Sequence, residues 1–289
     1  MNPTASFRLS LLTLRHSILM IPMATIVEKQ NLVPNMNETT ILEKVPIKKL
    51  RKGVLLTGLP GIGLIGQVVG RYLVDEFKAK KIATLFSPHF PHQVFMTKKG
   101  GMRLIRNSFY LYKGKTRDIV ILVGDIQAMS SVGQYEVTGK ILDYCHKIGA
   151  NEILTVGGYS TGKISEERRI FGVATSDEMR AKLRKFDVVF GEAKGSIVGA
   201  AGLLPAMSKL RDMEGACIMG ETHGGYIDTA SARQITLMLS KYLDLKVNLK
   251  KLNERAAESQ KVLKKVQEEV QKTMESQSDT SNRNVSYIR

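Results

Sequence analysis

"VLLTGLPGIGLIGQVVGRYLVDEF", residues 54–77, decides how the rest of the chain is read. An apolar strand runs into a glycine-rich turn, and the turn opens an amphipathic helix. That is the first half of a βαβ unit. Gly61, Gly63 and Gly66 also fit G-x-G-x-x-G. Such a loop either cradles a phosphate at the helix N-terminus or lets the helix lie close against the sheet. A dinucleotide site needs an acidic residue at the end of the second strand to hold the ribose. Here "KIATLFSPHF" (81–90) ends in Ser87, Pro88 and His89 before its last residue. A P-loop needs Lys where this chain has Leu64. The packing reading is therefore preferred, with Gly58, Gly61 and Gly63 kept as a ligand-loop candidate.

Outward from this stretch, apolar strands alternate with helical patterns. "DIVILVGD" (118–125) and "NEILTVGG" (151–158) lack polar alternation, so both faces of these strands should be buried. Helices are expected over 62–78, 132–148, 176–185, 196–212 and 229–243, and further strands over 171–174, 187–191 and 215–221. The fold class is α/β: a mixed, mostly parallel sheet flanked by helices. The 289 residues, 43% of them hydrophobic, are enough for one such core.

Four segments follow. Residues 1–40 carry Arg and Ser but no acid before Glu28, like a transit peptide, and Met20, Met23 and Met36 offer later starts. This extension is set outside the fold, as a disordered segment or an over-early start. Residues 41–245 form the α/β core. Over 246–275, Leu249, Leu252, Ala256, Leu263, Val266 and Val270 continue a heptad seam, the mark of an exposed, coiled-coil-like helix. Residues 276–289 are polar and expected to be disordered, ending in Tyr287, Ile288 and Arg289.

The charge balance is 43 basic against 27 acidic residues, a net +16. Such a surface favours acidic partners. The densest patch, 98–117, holds seven Lys or Arg and no acid. Its alternation reads as a β-hairpin with a solvated basic outer face. No RNP, zinc-finger or basic-zipper pattern accompanies it, so nucleic acid is not an expected partner. Two cysteines, Cys145 and Cys217, suit a reducing cytosol rather than a disulfide framework. The longest apolar runs are too short for a membrane helix. His89 and His92 lack a completing acid or thiol cluster, so neither a metal nor a cofactor is expected.

An enzyme reading competes with these. Gly158-Tyr159-Ser160-Thr161-Gly162 matches G-x-S-x-G, and His223 lies downstream with Asp187 as a conceivable third member. A nucleophile elbow needs a helix after the serine, and "KISEERRIFG" carries no helical stripe. A hydrolase or nucleoside-type transferase using Ser160 and His223 is the alternative to a non-catalytic protein.

Four further stretches accompany "GLPGIGLIG" (58–66) and "YLVDEF" (72–77) in a consistent order: "GDIQAMSSVGQYEVTGKILDYC" (124–145), "LTVGGYSTG" (154–162), "GSIVGAAGLL" (195–204) and "CIMGETHGGYIDTASARQITLML" (217–239). Together these resemble the archaeal branch of the proteasome assembly chaperone family over residues 45–255. The resemblance implies a nucleoside-phosphorylase-like fold without the catalytic residues of those enzymes. It implies a cytoplasmic homo-oligomer that binds 20S proteasome α-subunits as an assembly factor or ATP-independent activator. Some members carry a C-terminal hydrophobic–tyrosine–any motif. This chain departs from it: Ile288 is penultimate and Tyr287 stands one position early. The resemblance still makes Tyr287, Ile288 and Arg289 the expected partner-binding residues.

Overall fold

The computed structural model describes residues 37–163, 167–248, 250 and 254. Eleven strands and five α-helices occur in these residues. The strands are β1 (Thr40–Glu43), β2 (Gly53–Gly58), β3 (Lys80–Phe86), β4 (Val94–Met96), β5 (Met102–Leu104), β6 (Asn107–Lys113), β7 (Asp118–Gly124), β8 (Ala150–Ser160), β9 (Ile170–Ala174), β10 (Val188–Phe190) and β11 (Glu214–Thr222). The helices are α1 (Ile65–Glu76), α2 (Ser131–Ile148), α3 (Asp177–Arg184), α4 (Ala200–Ser208) and α5 (Thr229–Tyr242).

Nine strands form one mixed sheet in the order β1-β3-β6-β7-β2-β8-β11-β9-β10. Its centre, β7-β2-β8-β11, is parallel. Antiparallel pairs flank it on both sides. The continuous apolar runs occupy the centre because both faces there are covered. Side chains alternate between two cores along each strand. Leu55, Val120, Leu122 and Ile153 pack against Val137, Ile141 and Leu142 of α2 and Leu204 of α4. Val54, Leu56, Ile121 and Leu154 pack against Ile65, Val69 and Leu73 of α1 and Ile235 and Leu239 of α5. The result is three layers, helix–sheet–helix.

The basic stretch 98–117 differs from its sequence reading. It is not one hairpin. Lys98–Gly101 form the turn between β4 and β5, which among the described residues pair only with each other, while β6 is inserted in the main sheet between β3 and β7. The β4–β5 outer face is apolar rather than basic. In its register Val94 opposes Leu104 and Met96 opposes Met102, so these four share one face, and Phe95 and Arg103 share the other. Arg103 Nη1 lies 2.5 Å from Asp125 Oδ2, and its guanidinium stacks 4.6 Å over Phe95. The apolar face is left to solvent, with Met96 90% and Met102 81% exposed.

The fold also takes in Thr39 and Thr40, just upstream of the expected core. Thr39 is buried, its N–H donating to Glu136 Oε1 at 3.0 Å and its hydroxyl sharing a 2.9 Å bond with Ser87. The heptad positions Leu249, Leu252, Ala256, Leu263, Val266 and Val270, the 276–289 tail and most of the 1–40 extension lie outside the described residues. Among the described residues, no helix is long and apolar enough to cross a membrane.

Candidate functional site

The glycine-rich loop divides into packing and open positions. A Cβ on Gly58 would lie 2.7 Å from Gly70 Cα, and one on Gly66 would lie 2.5 Å from the Val156 carbonyl oxygen. Those glycines bring α1 against β2 and β8. Gly63 adopts φ +63°, where glycine is favoured, and Leu64 follows it at +49°. Gly61 is different: nothing lies within 4 Å of where its Cβ would be.

Gly61 opens onto a cavity of about 510 Å³. The cavity sits outside the carboxyl ends of β2, β8 and β11. The chain leaves β2 for β3 on one side of the sheet and leaves β8 for β9 and β10 on the other. Open α/β sheets place ligands at such a reversal. Leu59, Ile62, Val156, Ile197, Val198 and Met219 supply much of the wall. The 191–199 loop forms one side, turning through Gly191, Gly195 and Gly199 at positive φ.

Two polar side chains of the cavity, Gln127 and Tyr159, hold its walls together. Gln127 Nε2 donates to the Pro60 carbonyl at 2.6 Å, and its Oε1 accepts from the Ala200 N–H at 2.9 Å. One side chain thus ties the glycine loop to the start of α4. The Tyr159 hydroxyl accepts from the Lys194 N–H at 3.2 Å, fastening the 191–199 loop to β8. Sequence reasoning does not single out Gln127. Its partners are loops remote in the chain, and a glutamine in "GDIQAM" carries no local signal of that.

Ser160 and His223 are neighbours, but through the backbone. Ser160 Oγ donates to the His223 carbonyl at 2.9 Å, while the His223 ring stacks on Tyr226 at 5.9 Å between centroids. β8 runs straight through Ser160, and the next described element is β9, not a helix. Ser160 is therefore at a strand end rather than on a sharp strand–helix turn. His89 is tied to Glu136, Nε2 to Oε2 at 2.6 Å, and among the described residues no group of three potential metal ligands gathers.

Ion pairs border the site beside α5. Arg169 bridges Glu221 and Glu192, each at 3.2 Å. Arg168 Nε lies 3.5 Å from the buried Asp228 Oδ2. Asp228 also caps α5, accepting from the Ser231 N–H at 2.9 Å. Both cysteines are buried and unpaired, and burial pushes the Cys217 thiol up to about 11. Tyr287, Ile288 and Arg289 lie outside the described residues.

The fold is shared with known proteins. The PAC2 family matches residues 55–267, and the chain belongs to that family. An uncharacterised protein of Methanocaldococcus jannaschii, MJ1210, is 34% identical over 220 residues, covering 76% of this chain and 85% of the relative. The crystal structure of Pyrococcus furiosus PbaB, described as an archaeal proteasome activator, superposes with a TM-score of 0.75 at 36% identity, covering 80% of this chain and 100% of that one. Pyrococcus furiosus PbaA, described as an archaeal homolog of proteasome-assembly chaperone, gives a TM-score of 0.66 at 22% identity over 86% of this chain and 99% of that one. The second likeness is one of fold.

Proposed function

We propose that this protein binds the 20S proteasome, as an assembly factor or ATP-independent activator, and turns over no substrate of its own. The observation that carries the reading is the 36% identity to PbaB across that protein's whole crystallised length. The bonding of Ser160 to a backbone carbonyl, away from the imidazole of His223, gives the hydrolase alternative little support.

Binding runs through the last residues. Tyr287 and Ile288 would enter an apolar pocket between α-subunits, and the terminal carboxylate would pair with a lysine there. With tyrosine one position early, the tail loses part of the hydrogen bonding of the family motif, which weakens one tail by about 1–3 kcal/mol. Several tails on one homo-oligomer offset this by avidity. The exposed apolar face of β4–β5 supports self-association, since Val94, Met96, Met102 and Leu104 form a contiguous patch that a monomer would leave wet. Two buried, unpaired cysteines suit work in the cytoplasm.

Deletion of Tyr287–Arg289, followed by capture of purified 20S particles on the immobilised protein, tests the tail. Loss of capture, with the unfolding transition unchanged, is expected. Undiminished capture removes the tail from the account.

A further inference from the structure

We propose that the cavity at the carboxyl edge of the sheet is a binding site for a small, uncharged, mainly apolar molecule. Its volume of about 510 Å³ falls within the range of about 300–1,000 Å³ typical of small-ligand sites. Its position at the strand reversal is where an open α/β sheet exposes strand ends and loops to a ligand.

The glycines give an independent reason. Gly158, next along β8, is enforced by its surroundings: a Cβ there would lie 2.5 Å from the Ile62 carbonyl oxygen. Gly157 is not. A Cβ at 157 would stand 3.7 Å from Ala201 Cβ and 3.9 Å from Met219 Cγ, both ordinary contacts with cavity-lining residues, and its φ is not in the left-handed range. Glycine within a strand costs about 0.5–1 kcal/mol relative to alanine. At 157 that cost has no steric cause; what the missing side chain leaves is lumen. Gly61 across the cavity likewise faces open space.

The wall chemistry sets the class of ligand. The Gln127 amide and the Tyr159 hydroxyl are already committed to Pro60, Ala200 and Lys194. Ser160 is committed to the His223 carbonyl. Arg169, whose guanidinium lies over Phe171 beside Tyr159, is held by Glu221 and Glu192. Lys194 borders the cavity from an exposed loop, where water screens its charge. An anionic nucleotide would find no desolvated cation among these groups, whereas a neutral aromatic or branched aliphatic body matches the walls.

N-phenyl-1-naphthylamine, a neutral apolar fluorophore, is the probe. The full-length protein should bind it saturably at one molecule per chain. Gly157→Leu on β8 and, separately, Ala201→Leu on α4 fill the lumen from adjoining elements and should each weaken binding at least tenfold while keeping the parent unfolding transition. Two filled variants guard against one that fails to fold. Capture of 20S particles by the same variants is measured in parallel, so that loss of the fluorophore site and failure of the proteasome reading are seen separately. Non-saturable binding, or binding equal in the parent and in a folded filled variant, overturns the proposal.

Discussion

Gly66 and Gly157 belong to neighbouring segments of the same site, yet opposite physics applies to them. At 66 the obstacle is backbone: the Val156 carbonyl oxygen, 2.5 Å from where an alanine methyl would stand, cannot rotate aside as a side chain would. Gly66→Ala must push α1 off the sheet, along with the Ile65, Val69 and Leu73 contacts it carries. Overpacking of this kind costs about 1–3 kcal/mol. At 157 a methyl meets only ordinary contacts, and the strand gains about 0.5–1 kcal/mol from alanine. Urea unfolding of the two single variants should therefore show shifts of opposite sign. Equal losses at both positions would mean that the cavity wall at 157 is closed and that the two glycines have the same role.

At the scale of elements, β1 is joined to α2 by a small polar cluster rather than by apolar burial alone. Glu136 on α2 accepts from Thr39 and pairs with His89, whose ring packs over Gly133 one turn earlier. Its bonds to Thr39, then to His89, hold the carboxyl down at about 2, against the 4.5 of an ordinary glutamate. A depressed carboxylate stabilises the fold above its unfolded value and loses that effect as pH falls through the folded one. The β1–α2 junction should thus hold at neutral pH and weaken progressively from 4.5 towards about 2. Glu136→Gln should flatten this part of the stability–pH curve, read from urea midpoints; an unchanged acid limb would remove Glu136 as its source. Sequence and structure agree best where physics is local. Strands β2, β7 and β8 are legible because burial on both faces leaves an unbroken apolar run, and α2 because Ser130 caps it and Gly149 ends it. The β4–β5 hairpin misleads, because the positive charges of the stretch outweigh the alternation of Val94, Met96, Met102 and Leu104, and Arg103 turns inward to an aspartate 22 positions away. The cavity is only half legible. Its glycines announce a turn, but which of them faces packing and which faces space depends on strands distant in sequence.

For the whole molecule, the charge and the apolar hairpin pull in different directions. A chain of net +16 repels its own copies, most strongly at low ionic strength. Self-association must then be driven by desolvated apolar area, and the β4–β5 face is suited to that because Arg103, the cation within these two strands, stands on the other face and is paired with Asp125. If the proposed oligomer uses this face, replacing Met96 and Met102 together by Asp should split it. Light scattering behind a sizing column would show the mass fall towards the 32.1 kDa of one chain. The fold should survive, since both side chains already stand in solvent and touch neither core. The consequence for function follows from counting tails. A monomer with its tail intact presents one weak anchor, so its affinity for 20S particles should drop by about 10²–10⁴-fold, the usual gain from linked sites. Adding salt should raise assembly of the parent by screening like charge, whereas it cannot restore the Asp variant, whose loss is of apolar contact. A monomeric variant that captures 20S particles as well as the parent would show that one tail suffices, and the hairpin would then need another partner.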